Sequence, residues 1–317
     1  MRSYNIKPKK PYVLRKPDGS IAAGTLTYAY RNPKPGEWIE VLNENTDFRN
    51  PSSYTNTVRV TYSDAVSAQA FGEYTKKFVK NLGYAPNNMV TSLSACADDL
   101  NGPNFIDFDN IGQGSNSMNE FLGPFYSGGL AGYPHTGITG LGAFASHATD
   151  TGALFVINMP HIGISNSGVV GQSIRRGQTT LNTSCGAVLA AVTWVDANAG
   201  LPTFPSVAFP DNDYQQFYLT NILASTTNRA LLAAATGTPA KMVVATEIIR
   251  VAGETFLIGS TGIQAIGGLI KDVFFCSGTF INVDDRFTAY VNINTFKKWS
   301  VAAGWTDLTT SFNAGLK

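Results

Sequence analysis

Residues 152–165 read GALFVINMPHIGIS. From Ala153 to Ile157 the run is apolar, without the alternation that a half-wet strand shows. A short continuous run rich in β-branched and aromatic side chains fits a strand buried on both faces. Such strands belong to parallel sheets covered by helices. The run stops at Pro160, which has no N–H to give to a ladder, and Gly163 follows where the chain is free to turn sharply. Between them stands His161, one of three histidines in 317 residues. The stretch predicts a buried strand that spills into a loop, with an imidazole at its carboxyl end.

The same pattern recurs on either side. MVTSLSACADDLNG (89–102) reads as a buried strand running into a loop at Cys96. KDVFFCSGTFINV (271–283) reads as a third buried strand, with Cys276 in its core, and FTAYVNINTF (287–296) as a fourth. Between them lie helical patterns. SDAVSAQAFGEYTKKFVKNLGY (63–84) has Ser63 or Asp64 to cap it, Val66, Ala70, Tyr74 and Phe78 on one face, and Gly83 to end it. TSCGAVLAAVTWVDANAG (183–200) is a helix capped by Thr183 or Ser184, which puts Cys185 in its first turn. NDYQQFYLTNILAS (212–225) and PAKMVVATEIIRVAGE (239–254) are two more. Strands alternating with helices predict an α/β fold, a mainly parallel central sheet flanked by helices. Residues 1–60, rich in Pro, Asn and Lys, read as an N-terminal arm with short strands, and 61–317 as a single α/β catalytic domain.

Composition removes several function classes. Net charge is +1 with 14% charged residues, and no basic run is interleaved with aromatics, so a nucleic-acid partner is not expected. Three cysteines do not make a disulfide framework and point to a reducing compartment. The opening MRSYNIKPKKPYVLRKPDGS carries no continuous apolar segment of a secretory signal. No stretch approaches the roughly 18 apolar residues of a membrane span. The expectation is a soluble protein, cytoplasmic, or plastid if a transit peptide has been removed.

In open parallel sheets, ligands bind beyond the carboxyl ends of the strands. Cys96 and His161 both lie there. Cys185 lies at a helix start, where backbone N–H groups favour a thiolate. Catalytic zinc takes three protein ligands of this kind and leaves a fourth position for water. The spacings, 65 and then 24 residues, are far from a zinc knuckle. Taken alone they equally fit two small buried cysteines and a loop-capping histidine. Asp98 and Asp99 follow Cys96, and Arg175 and Arg176 lie in SIRRGQ (173–178) between His161 and Cys185. They are groups that orient a ligand or hold a carboxylate, or else a solvated turn and an exposed helix end.

The blocks SLSACADDLN (92–101), GGLAGYPHTGITGLGAFASHATDTGALFVINMPHIGIS (128–165), GVVGQSIRRGQ (168–178) and SCGAVLAA (184–191) resemble, in order, those of the limiting-CO2-inducible B/C protein family. That family is also called theta-type carbonic anhydrase and is known from algae, diatoms and bacteria. The resemblance runs from about residue 60 to the end and leaves the arm uncovered. It implies a β-carbonic-anhydrase-like fold, a homodimer and a place in a CO2-concentrating mechanism. It also implies a zinc held by Cys96, His161 and Cys185. β-type enzymes carry Cys-x-Asp-Ser-Arg; here Cys96-Ala97-Asp98-Asp99-Leu100 keeps the aspartate and lacks the arginine, so Arg175, with Arg176 as fallback, is the expected partner of Asp98.

The implied reaction interconverts CO2 and bicarbonate through a zinc-bound hydroxide, with Asp98 orienting it and Arg175 keeping Asp98 ionised. CO2 is small and apolar, and Phe121, Leu122, Tyr133 and Phe144 are the candidate pocket walls, or else ordinary core. His147 is a candidate proton shuttle; His135 has no assigned role. Two other classes stay open: a zinc-stabilised scaffold or CO2-capture partner with little turnover, and a hydrolase using Cys96 or Cys185 as nucleophile.

Overall fold

The computed structural model describes residues 12–15, 38–41, 51–84, 89–96, 124–126, 129–134, 145, 153–174, 179–199, 220–259, 270–283 and 288–316. The strands are β1 (Tyr12–Arg15), β2 (Trp38–Val41), β3 (Val66–Ser67), β4 (Met89–Ala95), β5 (Pro124–Tyr126), β6 (Ala153–Met159), β7 (His161–Ile164), β8 (Gln172–Ile174), β9 (Leu181–Thr183), β10 (Asp272–Val283), β11 (Thr288–Ser300) and β12 (Gly304–Asp307). The helices are α1 (Pro51–Arg59), α2 (Ala68–Asn81), α3 (Gly186–Ala197), α4 (Thr226–Ala234), α5 (Gly237–Ile258) and α6 (Thr309–Leu316).

The main sheet runs β12-β11-β10-β6-β4-β5, with β3 on β11 and β7 on β10. β5, β4, β6, β7 and β10 are mutually parallel; β11, β12 and β3 add antiparallel pairs at one side. The sheet is therefore mixed with mainly parallel central strands, and helices cover it. The runs read as doubly buried are so: every residue of β6 and β7 is buried, and every residue of β10 after Asp272.

One face is filled by Phe71, Val79, Phe155, Phe274, Phe296 and Phe312, which join α2 and α6 to the sheet. Phe296 and Phe312 stack with centroids 4.2 Å apart. The other face carries α5, whose buried Met242, Ala245, Ile249, Gly253 and Leu257 recur at helical spacing. Gly253 lets α5 come down onto β6: a Cβ there would sit 2.6 Å from Asn158 Oδ1. The Asn158 amide donates to Ser277 Oγ and to the Arg250 carbonyl. The buried Arg250 guanidinium is bonded by Glu247, Glu254 and Ser277. No described helix is long and apolar enough to cross a membrane.

Several boundaries differ from the sequence reading. α2 begins at Ala68, capped by Ser67 Oγ accepting from the Ala70 N–H, and not by Ser63 or Asp64. Val66 and Ser67 are held extended as β3 by pairing with β11, so helix cannot extend through them. Pro51–Arg59 is helical within the stretch read as an arm with short strands. Of the helix expected over 212–225, residues 220–224 are helical, and 212–219 lie outside the described residues.

Pro160 does not stop the sheet. Asn158 stands opposite Ser277, and three residues further along each strand His161 stands opposite Phe280. The Phe280 N–H donates to the Pro160 carbonyl at 2.9 Å. Proline removes one donor, and the ladder carries past it in register. β4 ends at Ala95 opposite Met159. β7 therefore projects beyond β4, and the space at the carboxyl end of β4 is where the site forms.

On its other side β10 meets β11 with a register shift between Ser277 and Gly278. A Cβ at Gly278 would overlap the Asn292 carbonyl oxygen. Gly278→Ala is expected to cost about 1–3 kcal/mol, the range for overpacking a dense interior. A urea midpoint lowered at unchanged slope is the check; a wild-type midpoint would mean that the bulge gives way freely.

Candidate metal centre

Cys96 follows the last residue of β4 and is buried. A turn, Leu130–Gly132, is folded over it. The Ala131 N–H donates to Cys96 Sγ at 3.1 Å. To aim that N–H the turn takes an unusual shape: Ala131 has φ 55, the one positive φ at a non-glycine among the described residues. Gly132 follows at φ 84, and a Cβ there would meet Pro160 Cα at 2.8 Å. Ser94, on the strand that carries Cys96, donates its hydroxyl to the Gly132 carbonyl at 2.9 Å. Strand and turn thus clamp one another around the sulfur.

His161 opens β7 and is fully buried. Its Nδ1 is hydrogen-bonded to Asn282 Oδ1 on β10. A carboxamide oxygen only accepts, so Nδ1 carries the proton, and a neutral ring has its lone pair on Nε2. This is the arrangement in which a histidine ligates through Nε2.

Cys185 is the N-cap residue of α3 and not a first-turn residue. The residue before it is fixed from both sides. The Ser184 N–H donates to the Gly171 carbonyl at 2.9 Å, and the Ser184 carbonyl accepts from the Gly163 N–H at 2.8 Å. Gly163 stands where it does because a Cβ would sit 2.6 Å from Ser184 Cβ. Its role is close approach within a strand, not the sharp turn that the sequence suggests.

The three donors converge. One ligating atom each from Cys96, His161 and Cys185 lie within 4.8 Å of one another, and all three residues are buried. The two sulfurs are 3.6 Å apart. Two thiolates at about 2.3 Å from a tetrahedral zinc are separated by about 3.8 Å, so the spacing fits that metal. The surroundings are apolar, with Ala131, Ile162, Val188 and Ala191 in the same cluster as both cysteines. The Cys185 thiol is held well below the ordinary thiol range. The hydrogen bond with Cys96 contributes most, burial works the other way, and His161 and the Val188 N–H add to the lowering. Cys276 is the opposite case: burial pushes its thiol well up, with Glu254 adding to it, and it belongs to the core as expected. Two soft sulfurs and one imidazole nitrogen suit zinc, with a fourth position for a reacting molecule.

Tyr133 lies just past the turn over Cys96, packed on the cluster that holds both cysteines, its ring 6.1 Å from that of Phe256. Burial raises its hydroxyl pKa. Asp98, Arg175, Arg176, Phe121, Leu122, Phe144, His135 and His147 lie outside the described residues. The residues that the sequence reading missed are Asn282, Ala131, Gly132 and Ser184. Asn282 had left a signal: a buried amide between Ile281 and Val283 needs a hydrogen-bond partner.

Among curated proteins, none matches the sequence. The crystal structure of PtLCIB4, a homolog of the limiting CO2-inducible protein LCIB, is similar in fold, with TM-score 0.65 at 24% identity over 80% of this chain and 98% of that one. A histidine-to-alanine mutant of PtLCIB4 matches with TM-score 0.66 at 23% identity, covering 80% and 97%. The limiting CO2-inducible protein LCIB itself matches with TM-score 0.53 at 16% identity, covering 78% and 95%. The family model of limiting CO2-inducible proteins B/C beta carbonic anhydrases matches residues 65–298, a span that holds Cys96, His161 and Cys185 together with the strands that carry them. With that match running from the start of the core to the far side of the sheet, the chain belongs to the limiting CO2-inducible protein B/C family of beta carbonic anhydrases.

Proposed function

We propose that the chain is a zinc-dependent carbonic anhydrase that interconverts CO2 and bicarbonate, working as a homodimer, with residues 61–317 as its catalytic domain. The observation that carries this reading is the convergence of Cys96, His161 and Cys185 beyond the carboxyl end of β4. Held by Cys96, His161 and Cys185, zinc would supply Lewis acidity and lower the pKa of a bound water to about 7. The protein's part is orientation and exclusion. Cys96 and Cys185 bring the negative charge, with the Ala131 N–H fixing the first sulfur and the Ser184 backbone fixing the second. Asp98, two residues past Cys96, accepts a hydrogen bond from the reacting water and turns its lone pair toward CO2. Arg175 keeps Asp98 ionised and off the metal. Tyr133, with Phe121, Leu122 and Phe144, gives CO2 an apolar wall, and His147 passes protons to solvent.

The complete burial of the donor set favours a second reading. Structural zinc sites are closed, and a scaffold or CO2-capture partner of this fold would keep the metal with little turnover. One experiment separates the two: zinc content and CO2 hydration, for wild type, Cys96→Ser, His161→Ala and Asp98→Ala. Wild type is expected to hold about one zinc per chain and to hydrate CO2. The first two variants are expected to lose both, and Asp98→Ala to keep its zinc while losing at least about tenfold in rate. Full zinc in wild type with no hydration at any pH or redox condition leaves the scaffold.

The donor geometry also predicts the fate of the two thiols once the metal is removed. With the sulfurs 3.6 Å apart, a peroxide is expected to join Cys96 to Cys185. The two thiols release two protons and two electrons, and the peroxide leaves as two waters. Thiol counts after denaturation are expected to be three for the zinc-loaded chain and one, Cys276, for the metal-free chain treated with peroxide. Three thiols in the treated metal-free chain would contradict the pairing.

A further inference from the structure

We infer that Asn282 is a positioning residue for this site: it fixes which nitrogen of His161 faces the metal, and does so without adding charge. The inference rests on the zinc reading above and names a group outside the donor set. Asn282 is fully buried in a strand whose neighbours are Ile281 and Val283. A carboxamide is costly in such a place unless it is bonded, and here Oδ1 meets His161 Nδ1. The backbone prepares the contact. β10 shifts register between Ile281 and Asn282 on its β11 side, while on its β7 side Asn282 stands opposite Gly163. From there the amide leans along the sheet to the ring two residues earlier on β7.

The choice of an amide has a chemical meaning. Two thiolates already cancel the two charges of a divalent zinc. A carboxylate at 282 would fix the same tautomer but leave a net negative site in an apolar interior, and would make the imidazole more basic. Asparagine supplies an acceptor and no charge. It orients the ring and leaves the metal's acidity to be set by the three donors alone.

The test compares Asn282→Leu with the near-isosteric Asn282→Asp, under a phosphine reductant. Two readouts are used: zinc affinity by competition with a chromogenic chelator, and the His161 Nδ1–H proton by NMR on histidine-labelled protein, assigned by its absence in His161→Ala. The proton readout needs no metal. Wild type is expected to show a slowly exchanging Nδ1–H with or without zinc, and in the zinc form ring-carbon shifts of Nε2 ligation. Asn282→Leu is expected to lose the protected proton and to weaken zinc binding about 10- to 100-fold. Asn282→Asp is expected to keep the proton and to bind zinc more tightly than Asn282→Leu. A purely structural Asn282 predicts that both variants lose zinc in step with their loss of stability, and that result overturns the inference. So does a wild-type ring without a proton on Nδ1. A wild type that shows the proton but binds no zinc overturns the proposed function and leaves the ring-orienting contact standing.

Discussion

The hydrogen bond from the Phe280 N–H to the Pro160 carbonyl holds the site's geometry. Proline ordinarily ends a central strand, because it has no proton for the ladder. Here the bond on the carbonyl side carries the register across the gap, and β7 continues where β6 stopped. A slip of one residue would turn every side chain of β7 to the other face. His161 would leave Asn282, Gly163 would leave Ser184, and Ile162 and Ile164 would leave the apolar cluster they share with both cysteines. One ladder thus sets two of the three donors. The third, Cys96, is set by the turn that Gly132 presses against Pro160 itself.

Much of this was legible in the sequence. The apolar run of β6 marks a strand buried on both faces, and β4 and β10 fall where buried strands were read although Ser and Thr interrupt them. Cys96 lies just past the end of β4 as read, while His161, read into a loop past a strand's end, opens β7 within the same sheet. What stayed hidden depends on contacts between segments far apart in the chain. Gly163 reads as a turn because local sequence cannot announce the close approach of Ser184, 21 positions later. Ser63 and Asp64 are acceptable caps, and only the pairing of Val66 and Ser67 with β11 moves the helix start. Asn282 was visible as an anomaly in an apolar strand, but its partner lies 121 positions away. Asp98 and Arg175, which rest on the family resemblance, lie outside the described residues.

The interior carries two polar clusters with opposite electrostatics. Around Arg250 the charges are balanced within the chain: Glu247 and Glu254 face the Arg250 guanidinium and the Lys297 ammonium, while Ser277 Oγ accepts hydrogen bonds from the guanidinium and from the Asn158 amide. That cluster ties α5 to the sheet. The cluster beyond β4 is made of two thiols and an imidazole, groups whose use is to give up protons and offer lone pairs. Its local hydrogen bonds point the same way, since the Ala131 N–H serves Cys96 and the Val188 N–H serves Cys185. Donors aimed at sulfur in apolar surroundings favour thiolate, and a pair of thiolates there is tolerable only with compensating positive charge.

In the chain alone the Cys185 thiol is lowered most by its hydrogen bond with Cys96, with His161 and the Val188 N–H adding to it. A divalent cation touching all three atoms would take the place of the thiol protons. Metal binding and proton release are for that reason one event at this site. The same argument explains why the group behind His161 is an amide. A histidine backed by a carboxylate would carry surplus negative charge once the metal is bound. A histidine backed by Asn282 brings the site to neutrality with zinc in place, and neutrality is the cheapest condition for an ion in apolar surroundings. The donor types, their burial and the partner on β10 are each what a divalent ion held without net charge in apolar surroundings would require.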